Sequence, residues 1–301
     1  MEFHVLAVGD VTGAGGLKSV KRHLRALKKL HHIEFCVVNG ENASGVGITP
    51  QQADEILDAG ADVITLGNHT WNRREICDYL EESRYILRPA NFLPSLPGRG
   101  WGVYETQIGP VAVANLIGRC NMNFGPDNPF HTAEKILKDV GDIPLLLDFH
   151  AEATSEKLAM AYFLDGRAAA VWGTHTHVQT ADETVLPKGT GYLTDLGMVG
   201  PVYSVLGVKP EQSIALFRGE LTSRFEWPAG PCRLCGAVFT IDSASGKCTS
   251  VERVTVDDYV FTCGGSASRL AVFRPEPGAR GAASEGAARR SHAAGGAGQC
   301  V

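Results

Sequence analysis

Apolar and polar positions alternate along this chain in two distinct periods, and stretches of each kind take turns. "EFHVLAVG" near the start is an almost unbroken apolar run, the pattern of a strand buried on both faces. In "GLKSVKRHLRALKKL" the residues Leu17, Val20, Leu24 and Leu27 are spaced three, four and three apart, which puts them on one stripe of a helix. "IEFCVVNG" reads as a second strand, "TPQQADEILDAG" as a second helix and "DVITLGN" as a third strand. Thr49 is placed to cap that helix, with Pro50 in its first turn, where the missing N–H is not needed.

Farther on, "GWGVYETQIG" and "PVAVANLIG" read as strands joined by a Gly-Pro turn. The helix "HTAEKILKDV", the strand "IPLLLDFH", the helix "SEKLAMAYFL" and the strand "AAAVWGTH" follow, and then a second set of strands in "GYLTDLG", "CGAVFTI" and "SVERVTV". A β-α-β-α-β opening with a later group of strands predicts an α/β fold in which stacked sheets are covered by helices, as one domain over residues 1–257. Residues 258–301 change character. "GARGAASEGAARRSHAAGGAGQCV" lacks periodic apolar positions and cannot bury enough surface to offset the entropy of ordering, which predicts a disordered tail.

Charge narrows the range of partners. Twenty-eight Lys and Arg against 33 Asp and Glu give a formal net charge of −5, which argues against a broad grip on nucleic acid or an anionic membrane. The first helix carries Lys18, Lys21, Arg22, Arg25, Lys28 and Lys29, which a solvated face explains; an RNA-associated scaffold would use the same residues, and its binding would fall steeply with salt. The N-terminus lacks a basic, apolar leader, and no apolar run reaches the ~20 residues that span a bilayer, so a cytoplasmic address is expected. Eight scattered cysteines read as reduced thiols. Cys232 and Cys235 in "PCRLCG" have metal or redox spacing but lack a second pair, and read as strand residues.

The candidate chemistry lies where strands end. Asp10 follows the first strand, Glu41 and Asn42 the second, Asn68 and His69 the third; "LLLDFH" delivers His150, and "VWGTHTH" delivers His175 and His177. Ligands of open α/β sheets bind at the carboxyl ends of strands, so five distant clusters could meet in one cleft. Each alone has a plainer reading as a turn or a hydrogen-bonded structural residue. Together they form an oxygen and nitrogen donor set large enough for two divalent metals, without thiolate, which suits Mn, Fe or Zn.

"GDVTG", "NGEN", "GNHTW", "DFH" and "GTHTH", in this order, resemble the calcineurin-like metallophosphoesterases, and more closely their YmdB-type branch of cyclic-nucleotide phosphodiesterases. The resemblance covers roughly residues 3–256 and implies a four-layer α/β/β/α sandwich. It implies one metal held by Asp10, Glu41, Asn42 and His177 and a second by Glu41, Asn68, His150 and His175, with Glu41 bridging. Fe or Mn is implied, with Zn also fitting. The implied reaction is hydrolysis of a phosphodiester, 2′,3′- or 3′,5′-cyclic, by hydroxide bridging the metals, with His69 as the acid. Thr12 stands where the wider superfamily has histidine, and Asn72 where the branch more often has Asp.

Two other activities share these motifs: a phosphomonoesterase, including one that acts on phosphoproteins, and a non-catalytic nucleotide-binding regulator. Around the core set, Gly45 and Gly47 read as turn glycines, and Asp195 as either an acceptor behind a metal-bound histidine or a turn residue. Asn91 and Arg119 are candidates for the lining of a substrate cleft.

Overall fold

The structure, a computed structural model, describes residues 2–107, 109–122 and 125–258. The expected tail lies outside the described residues apart from Asp258, whose carboxylate meets Arg22 at 3.2 Å and His23 at 2.5 Å.

The elements run β1 (Glu2–Val8), β2 (Asp10–Val11), α1 (Gly13–Leu30), β3 (Phe35–Asn39), α2 (Pro50–Asp58), β4 (Val63–Thr65), α3 (Ile76–Glu82) and β5 (Ile86–Leu87) in the first part of the chain. The middle holds β6 (Trp101–Thr106), β7 (Gly109–Ile117), α4 (Pro129–Val140), β8 (Leu145–His150), α5 (Thr154–Leu164) and β9 (Ala170–Thr174). The last part contributes β10 (Thr184–Val185), β11 (Gly191–Leu193), β12 (Met198–Pro201), α6 (Pro210–Phe217), β13 (Cys232–Asp242) and β14 (Lys247–Asp257).

They form two sheets. The first has the order β2-β12-β13-β1-β3-β4-β5, with β14 also on β13; the second has the order β10-β11-β9-β8-β7-β6. Each has a parallel centre, β1-β3-β4-β5 in one and β7-β8-β9-β11 in the other, so the carboxyl ends of those strands gather along one edge.

Alternation along β1 shows why its sequence is apolar on both faces. Leu6 and Val8 pack with Leu17, Val20, Leu24 and Leu27 of α1, whereas Phe3, Val5 and Ala7 pack with Val113, Leu146 and Trp172 of the other sheet. The rings of Trp172 and Phe239 meet across the sheets with centroids 5.5 Å apart. A third core joins Leu147 and Phe149 of β8 to Ile136 of α4 and to Met160 and Leu164 of α5.

Local signals hold closely. Thr49 and Gln52 form a reciprocal capping box at α2, with Pro50 first in the helix. The helix expected from His131 starts two residues earlier, because the Asn128 side chain accepts from the N–H groups of Phe130 and His131. Helices α3 and α6 are too short to show a clear apolar period. The basic face of α1 is not simply solvated: Lys21 pairs with Glu55, Lys28 with Asp62, and Arg25 donates to the Asp58 carbonyl, so those cations dock α1 on α2 and its C-terminal turn. Cys232 and Cys235 are free thiols three apart on β13, one with Leu234 on the helix side and the other with Ala237 on the intersheet side. Opposite faces cannot share one ligand. Among the described residues no helix is long and apolar enough to cross a membrane.

Candidate active site

All five strand-end clusters arrive at the seam between the sheets. Asp10, Glu41, Asn42, Asn68 and His69 come from the first sheet and its loops; His150 closes β8, and His175 and His177 follow β9 in the second. Asp10, Glu41 and His150 are almost wholly buried.

Around Nε2 of His150 lie Oε1 of Glu41 at 3.0 Å, Oδ1 of Asn68 at 2.8 Å and Nδ1 of His175 at 3.1 Å. Single ligand atoms of Glu41, His150 and His175 all lie within 4.8 Å of one another. The other half is looser: Nε2 of His177 is 3.3 Å from the Asn42 amide nitrogen and 3.9 Å from Oδ1 of Asp10, and the same Asn42 nitrogen is 3.3 Å from Glu41. Glu41 therefore touches both groups. The His69 N–H donates to its second oxygen at 3.0 Å, while the His69 side chain stays half-buried beside the cluster.

Each histidine is oriented from behind. Nδ1 of His150 meets the Thr174 hydroxyl at 2.9 Å, Nδ1 of His177 meets the Leu206 carbonyl at 3.1 Å, and Nε2 of His175 meets Glu152 at 3.2 Å. A carbonyl can only accept, so His177 donates from Nδ1, and its Nε2 faces Asp10. His175 and His177 both have positive φ, 100° and 63°, a backbone that side chains other than glycine seldom adopt and that stores roughly 1–3 kcal/mol per residue. Asp195 holds the turn. Its Oδ2 accepts from the N–H and hydroxyl of Thr176, between the two histidines, and from the buried Lys157 ammonium at 2.6 Å. Asp195 thus supports the backbone of the histidine turn, where the sequence left open a direct contact with a ligand.

The electrostatics are those of a charge-dense buried site. Burial pushes Asp10 up to about 6 against the pull of His177 and His150. Burial would raise Glu41 as well, but the His150 ring and the His69 N–H hold it down at about 2. Burial and the neighbouring His150 push His175 down to about 3, which leaves it neutral and able to donate a lone pair.

These residues fit a divalent cation. Among the described residues Oδ1 of Asp10 is buried without a hydrogen-bond partner, an arrangement that is costly for a carboxylate unless a cation completes it. The donors are carboxylates, amides and imidazoles, matching borderline metals rather than a thiolate-bound one.

Several residues without an assigned role in the sequence support the site: Asp148, Thr174, Glu152 and Lys157. Two carried a signal. Asp148 is an acidic residue inside the apolar run "LLLDFH", and Lys157 sits on the buried stripe of α5 with Met160, Ala161 and Leu164. Asn91 is not a cleft residue, since its amide is consumed by the backbone of Ile117 and Asp127. Arg119 stands just past the end of β7 with its N–H on Glu156. Gly45 and Gly47 have φ of +83° and +82°, as turn glycines require, and a Cβ at Gly45 would overlap the Trp227 ring.

Two parallel-centred sheets with carboxylates, amides and imidazoles converging at their seam define a metallophosphoesterase, a hydrolase of phosphoric esters. The chain belongs to the family described as YmdB-like protein, which matches residues 6–254. It is 43% identical over 263 residues to the 2′,3′-cyclic-nucleotide 2′-phosphodiesterase of Bacillus subtilis, covering 85% of this chain and 98% of that one. Among solved structures, a hypothetical protein from Thermus thermophilus superposes with a TM-score of 0.79 at 36% identity, covering 85% of this chain and 99% of that one. A phosphatase from Mycoplasma pneumoniae superposes with a TM-score of 0.80 at 33% identity, covering 85% and 94%.

Proposed function

We propose that this protein is a metal-dependent phosphodiesterase that opens 2′,3′-cyclic nucleotides to nucleoside 3′-monophosphates. The reading is supported above all by the convergence of Glu41, Asn68 and His175 on Nε2 of His150, within 3.1 Å, from two sheets. The Bacillus relative supplies the substrate class.

In this reading Glu41, Asn68, His150 and His175 hold one divalent ion, and Asp10, Glu41, Asn42 and His177 hold a second. For Asn42 a half-turn of the side-chain amide would bring its oxygen to face the ion. Iron or manganese is favoured, with zinc compatible with the same donors. Such ions supply a water acidic enough to be a nucleophile at neutral pH and neutralise phosphate charge. The protein's own residues do the rest. Glu41 keeps its negative charge at neutral pH and so balances the cations, while neutral His175 ligates without adding charge. His69, held at the rim by its N–H on Glu41, gives a proton to the departing 2′-oxygen as the P–O2′ bond breaks. The three cores are read as the interfaces of a four-layer α/β/β/α sandwich, and the enzyme as a cytoplasmic one.

Turnover of 2′,3′-cyclic, 3′,5′-cyclic and monoester substrates at equal concentration, on one preparation with measured metal content, tests the proposal. Chelator-sensitive hydrolysis of the 2′,3′-cyclic ester to the 3′-monophosphate is the expected result. Faster monoester cleavage would make the protein a phosphomonoesterase, and nucleotide binding without turnover in metal-loaded protein would make it a regulator.

A further inference from the structure

Asp148 places a carboxyl group at the centre of a buried strand, and nothing in the chemistry proposed above uses it. It is fully buried on β8, two residues before His150. Its Oδ2 accepts from the Thr65 hydroxyl at 2.5 Å and from the Asn39 amide at 3.2 Å, both from the first sheet. Its Oδ1 accepts from the Thr174 hydroxyl of β9 at 2.7 Å. That hydroxyl is also the group 2.9 Å from Nδ1 of His150.

A hydroxyl has one proton. If Thr174 gives it to Asp148, its oxygen can only accept from His150, so Nδ1 of His150 keeps its proton and Nε2, which faces Glu41, Asn68 and His175, is the nitrogen a cation can take. If the relay ran the other way, Thr174 would donate to Nδ1, the neutral ring would carry its proton on Nε2, and that atom would be closed to a metal. We propose that Asp148 and Thr174 are a positioning pair that sets which nitrogen His150 presents to a divalent cation.

The same carboxylate does a second job. The donor set is divided between the sheets, with Glu41 and Asn68 on one side and His150 and His175 on the other, so the sheets must keep a fixed register. Asp148 joins β8 and β9 to β3 and β4 directly beneath the histidines, and Asn115 of β7 adds a parallel tie by donating to the carbonyls of Leu66 and Leu87. A buried polar network whose donors are matched to acceptors is suited to such registration. Removing partners that orient metal-ligating histidines typically lowers metal affinity by about 10–100-fold.

The inference rests on His150 being a ligand, and the experiment separates the two ideas. Co2+ affinity by chelator competition, the visible spectrum of the Co2+ form and the thermal midpoint of metal-free protein are measured for Thr174→Val, Thr174→Ser, Asp148→Asn and His150→Ala. Thr174→Val keeps the shape and removes the hydroxyl; Asp148→Asn can present an N–H to Thr174 and so reverse the relay. The expected result is a loss of about 10–100-fold in Co2+ affinity with an altered spectrum for both, and retention within about threefold for Thr174→Ser. Metal affinity unchanged in Thr174→Val, or lost equally in Thr174→Ser, while His150→Ala loses metal, overturns the relay and leaves the site reading intact. Unchanged affinity in His150→Ala overturns both. Should Thr174→Val fail to fold, Asp148→Asn against Thr174→Ser decides: wild-type affinity in Asp148→Asn rejects the relay.

Discussion

Gly67 lies so close to the ring of His150 that a Cβ at position 67 would overlap Nε2 and Cδ2 of the imidazole, and Oε2 of Glu41 as well. Its φ is not in the left-handed region, so it is the space, not the backbone, that requires glycine here. The Gly67→Ala protein should therefore fold but hold its ligands apart. Turnover should drop by at least about a hundredfold, the usual effect of a misplacement near 1 Å, with metal content falling in parallel. A fully loaded, fully active Gly67→Ala protein would show that the Glu41–His150 contact is not where the cation sits.

His69 should behave differently. Its side chain stands beside the ligand cluster and its tie to Glu41 is through the main chain, which substitution leaves in place. His69→Ala should keep its metals and lose about 10²–10⁴-fold in turnover, the range for a missing general acid. The loss should shrink for substrates with a good leaving group. Equal rates for wild type and variant on a cyclic nucleotide would remove His69 from the reaction.

Protons compete with metal at His150. Burial alone would strip the ring of its proton, but Glu41 at 3.0 Å and the nearby Asp10 reverse that and hold it up at about 9, above the ordinary 6.5. A cation that takes Nε2 must displace a proton at any lower pH. Metal affinity should therefore rise with pH toward about 9, by about tenfold per unit for one displaced proton. In metal-free protein the sign is opposite: the stability from that proton is complete below about 6.5 and disappears as pH rises through about 9. Chelator competition and thermal midpoints between about pH 6 and 9 should show the two trends crossing; a flat affinity profile would contradict the assignment.

Lys157 and Asp195 form a buried ion pair, both essentially inaccessible to solvent, at 2.6 Å. Lys157→Met leaves a carboxylate buried without its counter-charge and should destabilise the fold by about 3–5 kcal/mol. Adding Asp195→Asn should recover most of that loss in a denaturant titration. Metal affinity should recover less, because Asp195 also holds the Thr176 turn. Single and double variants of equal stability would show that the pair contributes little.

What the sequence determined by itself is local. Apolar runs, the Leu17–Leu27 stripe and the Thr49–Gln52 box depend on near neighbours, and they placed the strand ends and hence Asp10, Glu41, Asn68, His150, His175 and His177 on one edge. Only the tertiary structure decided what lies behind those residues. It brought Asn39 and Thr65 of one sheet to Asp148 of the other, paired Lys21 of α1 with Glu55 of α2, and buried Lys157 beneath the histidine turn. These contacts join residues dozens of positions apart. Whether a lone Asp or Lys in an apolar stretch finds its partner depends on which faces pack together, and that is settled by the folding of the whole core rather than by the period of any one segment.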